Sequence, residues 1–362
     1  MRTIAQVVAN STVRPSEEPA TMPSTASPSA AASPGDDRSS DAAGTPPGGT
    51  APPSFTEQEI ASQPACWRRA AALAGELRGL LPRRGERVAV VGCGTSWFVA
   101  QSYAALREAG GGGYTDAFAA SEFPLSRRYD RILAVTRSGT TTEVLHLLDR
   151  VRGTSPTTAL TAAPDTPVTA AADRTAVLDF ADERSVVQTR YATTALALLR
   201  AALEADGTLP AGVAPLADAA GQAESAVSRE LPEHLLRAEQ FTFLGTGWSH
   251  GLALEAALKL REAAGAWTEA YPAMEYRHGP LSIAAPNRVV WTLGPVPGGL
   301  AAQIAGAGAA HVHHPGTDPL AELVLIQRLA VQTALAAGRN PDAPRHLTRS
   351  VVLDGGGGGG RQ

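Results

Sequence analysis

Two segments of the chain share one pattern, in which a short apolar run ends in a Gly-x-Gly turn and a helix-forming stretch follows. The first reads Val-Val-Gly-Cys-Gly-Thr-Ser-Trp at residues 90–97, and the second reads Phe-Leu-Gly-Thr-Gly-Trp-Ser-His at residues 243–250. A buried strand that enters a helix through a tight turn is the unit from which parallel sheets are built. The repeat therefore predicts two similar α/β halves of about 150 residues each.

Other short β-branched runs alternate with helix-forming stretches in both halves. The predicted strands are 87–91, 131–136, 157–161, 176–180, 241–244, 288–293 and 310–313. The predicted helices are 95–108, 141–151, 187–203, 216–238, 249–264 and 319–337. This alternation predicts an α/β fold with mainly parallel sheets flanked by helices.

Composition sets the expected limits of the folded body. Residues 1–54 are rich in Ala, Ser, Thr, Pro and Gly and are expected to be a disordered leader, or an over-long gene start. The first half is predicted at 55–210 and the second, with its C-terminal tail, at 211–353. Residues 354–362 are expected to be a disordered glycine-rich tail.

Charge and cysteine content argue against several classes of protein. The net charge of −4 gives no reason to expect a nucleic acid or membrane partner. Cys66 and Cys93 are too few for a disulfide framework or a four-cysteine zinc site. No apolar run approaches the ~20 residues of a membrane span, and the N-terminal run is shorter than the ~7–15 residues of a signal core. A cytoplasmic location is expected.

The clearest candidate for a ligand site is Thr136-Arg-Ser-Gly-Thr-Thr-Thr-Glu143, which follows a predicted strand and opens a helix. Hydroxyl groups and free backbone N–H groups at a helix N-terminus favour an anion, and Gly139 allows close approach to it. The alternative is that these Ser and Thr residues are only helix caps. Four hydroxyls and a glycine in six residues favour phosphate.

The turn at Gly94-Thr-Ser96 offers a smaller set of the same groups, and on its own it fits a helix cap better. A dinucleotide site is a weaker interpretation of the glycine turns. Neither turn reads Gly-x-Gly-x-x-Gly, and the nearest match, 245–251, has one residue too many.

Glu255, Lys259 and Glu262 fall on one face of the predicted helix 249–264. Lys259 is the only lysine among 31 basic residues. Either arginine cannot replace lysine at this position, because the two cations differ in shape and acidity, or the single lysine is there by chance. The rest of the helix is largely apolar, which indicates that the helix is buried. Buried charges must be paired or take part in function. The alternative is a salt-bridge ladder on a solvent-exposed face.

Histidines offer two further candidates. His278 precedes a Gly-Pro turn in the polar segment 269–280, which is interpreted as a loop or short helix, and it could transfer protons near neutral pH. His311, His313 and His314 could suggest a metal, but no carboxylate or cysteine set accompanies them, so they are expected to be structural and no metal site is predicted.

Together these motifs resemble the sugar isomerase (SIS) domain family, and in particular the isomerase half of glucosamine-6-phosphate synthases. The segments that carry the resemblance are 59–64, 93–96, 120–123, 138–141, 254–262, 275–280 and 340–351. The resemblance implies two SIS subdomains in each chain and a homodimer whose site is completed by the neighbouring subunit. It implies no cofactor.

The resemblance also implies roles for individual residues. Phosphate would be held by Thr95, Ser96, Thr136, Ser138 and Thr141. Glu262 would be the base that moves a proton between sugar carbons 1 and 2, with Lys259 as a second catalytic group on the same helix. His278 would assist ring opening, from the other subunit of the dimer.

The chain departs from the synthases at several positions. Arg349 stands where the synthases have a lysine that forms an imine with the ketose, and arginine cannot form one. Arg137 stands where glutamine is usual, which adds a cation beside the phosphate turn. Segment 183–189 resembles the stand-alone deaminase branch, and its Gln188 is taken as a substrate ligand. No glutaminase part is recognised, so glutamine is not expected as the nitrogen source.

The sequence thus predicts an enzyme acting on glucosamine or N-acetylglucosamine 6-phosphate by deprotonation of carbon 2. Isomerisation, deamination and dehydration all remain open as outcomes. The alternatives are a non-catalytic sugar-phosphate sensor, an ammonia-dependent synthase-like isomerase and, least favoured, a nicotinamide dehydrogenase.

Overall fold

A computed structural model describes residues 8–9 and 52–353 of the chain. The strands are β1 (Val8–Ala9), β2 (Val88–Gly92), β3 (Thr115–Ala119), β4 (Arg131–Val135), β5 (Thr157–Thr161), β6 (Arg174–Val177), β7 (Gln240–Gly245), β8 (Trp267–Pro272), β9 (Arg288–Leu293) and β10 (Ala310–Val312). The helices are α1 (Phe55–Leu73), α2 (Thr95–Ala109), α3 (Thr142–Val151), α4 (Pro167–Ala171), α5 (Arg190–Ala205), α6 (Leu216–Ser228), α7 (Glu233–Leu236), α8 (Ser249–Lys259), α9 (Leu300–Gly306) and α10 (Pro319–Ala336).

The strands form two sheets. The first has the order β1-β6-β5-β4-β2-β3 and the second the order β10-β9-β7-β8. Every pairing is parallel except that of the two-residue β1, which runs antiparallel to β6. β2, β4, β5 and β7 are buried along their whole length, as expected for parallel strands covered on both faces. The prediction of an α/β fold with two parallel sheets flanked by helices is confirmed.

Besides the two-residue β1, the strands β3 and β8 were not predicted from the sequence. Both lie at the edge of a sheet and are only partly buried. An edge strand needs no continuous apolar run, so its sequence gives a weaker signal than that of a central strand. β8 includes residues 269–272, and the interpretation of that stretch as a loop or short helix was wrong.

The prediction of one helix over 216–238 was also wrong. α6 ends at Ser228, and the short α7 starts after Pro232. Proline lacks the N–H that would continue a helix, and it disfavours helical geometry at the residue before it. Extended backbone at Arg229 separates the two helices.

α2 and α8, the two helices that follow the glycine turns, pack against each other between the sheets. Gly251 of α8 makes this close approach possible. A Cβ atom at this position would lie 2.3 Å from Ser102 Oγ and 2.5 Å from the Phe98 carbonyl oxygen of α2. The contact aligns the two helices, so that residues of both halves reach one site.

α10 is long and apolar enough, by length and composition, to cross a membrane, although no apolar run of that length was expected from the sequence. Within the fold it is a core helix, packed against α1, α6 and α8, and 67% of the tested window is buried. A buried core helix passes the same test as a membrane span, so the feature carries no further meaning here.

The predicted start of the folded body, residue 55, coincides with the start of α1. α1 starts at Phe55 behind a capping box, in which Ser54 Oγ accepts from the Glu57 backbone and Glu57 accepts from the Ser54 backbone. β1 falls inside the predicted leader and adds two paired residues to the first sheet. The other residues of 1–51, and the predicted tail 354–362, lie outside the described residues. The boundary at 210–211 stays a prediction, with β1–β6 before it and β7–β10 after it.

Candidate functional site

A pocket of about 190 Å3 lies at the carboxyl ends of β2 and β4. The chain leaves β2 towards β3 on one side, and β4 lies on the other side, so this is the switch point of the first sheet. Ligands of open parallel sheets bind at such points. The lining residues are Cys93, Gly94, Thr95, Ser96, Val135, Thr136, Arg137, Ser138, Thr141, Val144, Val186, Gln188, Glu262, Leu347, Thr348, Arg349, Ser350 and Val351.

The hydroxyl groups predicted to hold phosphate lie together in this pocket. Ser96 is in the first turn of α2, and Thr136, Ser138 and Thr141 follow β4. Thr141 is the residue before α3, yet its side chain makes no capping hydrogen bond. Gly139 has a φ of +66°, and a Cβ atom there would lie 2.1 Å from Thr166 Oγ1. The turn thus needs glycine, and helix capping does not account for its hydroxyls.

Thr95 is turned towards a different partner. Its Oγ1 lies 3.0 Å from the ammonium nitrogen of Lys259 on α8, and the side chain is buried. Its backbone lies at the N-terminus of α2, where free N–H groups favour an anion in the pocket. The structure therefore places the Thr95 hydroxyl in the buried charged cluster of α8.

That cluster, Glu255, Lys259 and Glu262, is not a ladder on a solvent face. The side chains of Glu255 and Lys259 are 1% exposed and that of Glu262 is 20% exposed. Lys259 Nζ lies 3.4 Å from Glu255 Oε1 and 2.5 Å from Glu262 Oε2. After Lys259 the helix continues as a π-helical turn, Leu260–Ala264, which carries Glu262. Such turns often occur at functional sites, and here one presents the carboxylate to the pocket.

The charges of this cluster follow from its burial. Burial raises the pKa of Glu255 to about 8, although the neighbouring Lys259 acts in the opposite direction. Burial alone would lower the pKa of Lys259, but the carboxylates of Glu255 and Glu262 outweigh it and the pKa is raised. The raised pKa of Glu255 favours its protonated form, and the raised pKa of Lys259 favours the ammonium form. A proton on Glu255 reduces the charge that the cluster buries and therefore the cost of burying it.

Arg137 does not offer a free cation to the pocket. Its guanidinium lies 3.4 Å from Glu183 Oε2 and donates to the carbonyl oxygens of Ser185 (3.2 Å), Val186 (3.1 Å) and Arg349 (3.0 Å). Arg137 and Glu183 are both buried. The residue therefore fixes the C-terminal segment against the first half, and its charge is paired with Glu183 although it lines the pocket.

The C-terminal segment 347–351 forms one wall of the pocket. The Arg349 guanidinium contacts the Asp182 carboxylate and the Glu183 carbonyl oxygen. Ser350 Oγ lies 2.9 Å from Thr140 Oγ1, and Thr142 N donates to the Val351 carbonyl oxygen at 3.1 Å. The segment is thus bonded both to residues 182–183 and to residues 140–142. The Arg349 guanidinium already has partners within the protein.

Two other lining residues differ in what they can offer. Gln188 Nε2 is buried, and among the described residues it has no hydrogen-bond partner, so it is available to a ligand. Burial raises the pKa of the Cys93 thiol to about 11, so this side chain is a neutral thiol and a poor nucleophile.

The predicted histidines lie outside the pocket. His278 is exposed, between the short turns 275–277 and 280–283, and is not brought to Glu262 within the chain. His311, His313 and His314 bond to Thr292, the Gly294 carbonyl oxygen and Glu322, respectively. In the part of the chain that the structure describes, no group of three or more His, Cys, Asp or Glu side chains could hold a metal ion.

The sequence analysis named Glu255 as part of the charged face but gave neither Glu255 nor Glu183 a role of its own, and both support residues that line the pocket. Glu255 and Glu262 lie on either side of the Lys259 ammonium. The Glu183 carboxylate accepts hydrogen bonds from the backbone N–H groups of Thr189 and Arg190, each at 2.6 Å. The available signal for Glu255 was an acidic residue in the apolar part of a helix, which indicates a buried and paired charge.

No protein-family model matches the chain. Among curated proteins it is similar to the isomerizing glutamine–fructose-6-phosphate aminotransferase of Xanthomonas campestris pv. campestris, with 27% identity over 333 residues. The match covers 78% of this chain and 54% of that protein. The chain spans about half the length of the curated relatives it matches.

Solved structures of similar fold are also sugar-phosphate enzymes. The glucosamine-6-phosphate deaminase of Thermotoga maritima has a TM-score of 0.71 and 25% identity, over 83% of this chain and all of that one. The tagatose-6-phosphate ketose/aldose isomerase of Escherichia coli has a TM-score of 0.68 over 83% of this chain and 97% of that one; at 18% identity it shows the fold alone. The homologues are the isomerase (SIS) domains of the aminotransferases, and the structural neighbours are SIS phosphosugar isomerases and deaminase-like proteins.

Proposed function

From this homology to SIS domains, we propose that the chain is an enzyme that acts on aminohexose 6-phosphates, glucosamine or N-acetylglucosamine 6-phosphate. The observation that carries the proposal is the junction of the two halves in one pocket. The hydroxyls of Ser96, Thr136, Ser138 and Thr141 line it from the first half, and the Glu262 carboxylate lines it from the second. A binding protein would need the hydroxyls but not the carboxylate.

The 6-phosphate occupies the turn after β4, where hydroxyls and the N-terminus of α3 favour an anion. Glu262 removes the proton from carbon 2 of the open-chain sugar. Lys259, 2.5 Å from Glu262 Oε2, holds this carboxylate in place and donates to it. A carboxylate held within reach of the reacting carbon is suited to act as a general base.

The resulting enediolamine or enediol has more than one fate. Protonation at carbon 1 gives isomerisation, and with a free amine the product is a carbon-2 imine that water hydrolyses to a ketose phosphate and ammonia. With an N-acetyl group the imine route is blocked, and loss of the carbon-3 hydroxyl as water is the natural outcome. The similarity to a deaminase structure favours isomerisation with loss of ammonia.

An imine between the protein and the sugar is not part of this proposal. Lys259, the only lysine of the chain, is buried between Glu255, Glu262 and Thr95, and Arg349 cannot form an imine. An ammonia-dependent, synthase-like isomerisation remains the second candidate because the curated relatives are aminotransferases. It is the reverse of the deamination and would use the same base.

The test is to incubate the protein with a panel of hexose 6-phosphates and follow ammonia and ultraviolet-absorbing products together. Ammonia without new absorbance supports deamination, and absorbance without ammonia supports dehydration. Absence of turnover with every aminosugar phosphate contradicts the proposed substrate class. A change in nicotinamide absorbance would favour a dehydrogenase instead.

We also propose that the working unit is a homodimer. His278 is exposed and lies outside the pocket of its own chain, so it can serve ring opening only in the pocket of a second copy. The pocket is then complete only in the assembly.

A further inference from the structure

A second cavity, of about 640 Å3, borders the proposed sugar-phosphate pocket. It is lined by Arg261, Glu262, Arg339, Arg345 and His346 among others, and we refer to it as the basic cleft. Glu262 is part of the wall of both cavities. The chain also passes directly from one to the other, because residues 343–346 line the cleft and residues 347–351 line the pocket.

The pocket at the phosphate turn is small, and Glu262 connects its lining with that of the cleft. Sites for small organic ligands have volumes of about 300–1,000 Å3, whereas the pocket at the phosphate turn has about 190 Å3. A sugar phosphate anchored by its phosphate in the turn reaches Glu262 and continues past it. Beyond Glu262, such a ligand would enter the basic cleft.

Positively charged side chains predominate in the lining of the cleft. Glu262 is the only acidic residue that lines it, and Lys259 already pairs with this carboxylate. Arg261 donates to the carbonyl oxygen and hydroxyl of Thr268, and Arg339 donates to the Ala264 carbonyl oxygen. Within residues 52–353, none of the three arginines forms an ion pair with a carboxylate.

Guanidinium groups that lack a carboxylate partner and converge on a cavity are suited to binding an anion, since each can make two parallel hydrogen bonds to a carboxylate or phosphate. Arg345 and His346 make no side-chain hydrogen bond to the described residues. Both side chains are therefore available to a ligand. The net charge of the whole chain is −4, so a cluster of this sign is a local feature.

We propose that the basic cleft is a second anion subsite, which binds a carboxylate or phosphate carried by the sugar on the side opposite its 6-phosphate. This rests on the proposed function and extends its substrate class to aminohexose 6-phosphates that carry a second anionic substituent. The phosphate turn holds one end, the arginines hold the other, and Glu262 lies between them at the carbon that reacts.

The test compares equilibrium binding of three compounds by calorimetry: glucosamine 6-phosphate, the same sugar with a carboxyalkyl ether at carbon 3, and glucosamine 1,6-bisphosphate. At least one of the two doubly anionic sugars is expected to bind about tenfold or more tightly than the singly anionic one, as a charge-assisted contact implies. Whichever binds better identifies the second group as carboxylate or phosphate.

Arg345→Gln is expected to remove this advantage and leave binding of glucosamine 6-phosphate unchanged. Arg345→Lys should restore part of it. The matched control is Arg84→Gln, an exposed arginine that lines neither cavity. The melting temperature of each variant shows whether it has folded.

Equal affinity for singly and doubly anionic sugars contradicts the subsite, whether or not glucosamine 6-phosphate is turned over. An advantage that survives Arg345→Gln contradicts it as well. A change of oligomeric state in Arg345→Gln without a change in affinity would show that a second copy covers the cleft. Failure of all three sugars to bind contradicts the proposed function too, whereas turnover of glucosamine 6-phosphate without a second-anion effect leaves that function intact.

Discussion

Lys259 Nζ lies 3.0 Å from Thr95 Oγ1. Lys259 ends α8 of the second half, and Thr95 begins α2 of the first, at the turn that faces the phosphate pocket. The contact is buried, and it joins the residue that starts α2, at the edge of the pocket, to the ammonium that holds Glu262. It therefore helps to position Glu262 relative to the proposed phosphate pocket, together with the packing of α2 on α8.

Thr95→Val is predicted to destabilise the protein by about 1–3 kcal/mol, because a buried ammonium loses a hydrogen-bond partner. The shape of the side chain is kept, so packing alone predicts little change. Thr95→Ser retains the hydroxyl and serves as the control. Chemical unfolding measures both variants, and equal stability of Thr95→Val and wild type would show that the contact contributes nothing.

Glu262→Gln is predicted to lower turnover about a hundredfold to ten-thousandfold, the range of a lost general base. Affinity for glucosamine 6-phosphate should stay within a few-fold of wild type, because the phosphate turn is untouched. Steady-state kinetics and calorimetry separate the two effects. Full activity of this variant would contradict the proposed mechanism and favour a base elsewhere in the pocket.

Glu255 is predicted to make stability fall as the pH rises. Its pKa is raised from 4.5 to about 8 by burial, so between these values the folded protein keeps a proton that the unfolded chain has lost. The contribution is full below about pH 4.5 and disappears as the pH passes about 8. Unfolding free energies of wild type and Glu255→Gln across this window should differ in slope, with the variant less dependent on pH. Parallel curves would show that Glu255 is ionised in the folded state.

The two arginines that fasten the C-terminal segment are predicted to differ in importance. Arg137→Gln leaves Glu183 as an unpaired buried charge and should cost about 3–5 kcal/mol. Asp182→Asn breaks the Arg349 pair, whose side chains are 38% and 39% exposed, and should cost about 0–1 kcal/mol. Denaturant unfolding measures both. Comparable losses would mean that burial does not distinguish the two contacts.

Mixed assemblies test the proposed dimer. His278→Ala and Glu262→Gln should each be inactive alone, whereas refolding them together at equal amounts should restore roughly a quarter of the wild-type activity. Half of the dimers then carry both changes, and one of their two sites has an intact Glu262 facing an intact His278. Activity that stays at the level of the separate variants would show that His278 acts within its own chain or not at all.

Local patterns were sufficient for much of the fold. The buried strands β2 and β4 read as nearly continuous apolar runs, and β5 and β7 are rich in β-branched or aromatic residues. The hydroxyls at 136–141 share a strand–helix connection, and such connections lie at one edge of a parallel sheet. Edge strands β3 and β8 were missed because half-buried strands lack that pattern. Arg137 was expected at the phosphate, yet its partner Glu183 lies 46 positions away in sequence.

The sequence by itself determined the α/β class, the paired glycine turns and the set of residues from which a sugar-phosphate site could be built, because strand and helix periodicity and turn chemistry are local properties. Only the tertiary structure decided which of those residues meet. Packing of α2 on α8 through Gly251 brings Thr95 to Lys259 across 164 positions, and burial turns the stripe of charges into a proton-holding Glu255 beside a paired Glu262. Distance and desolvation depend on the whole fold, and no single segment encodes them.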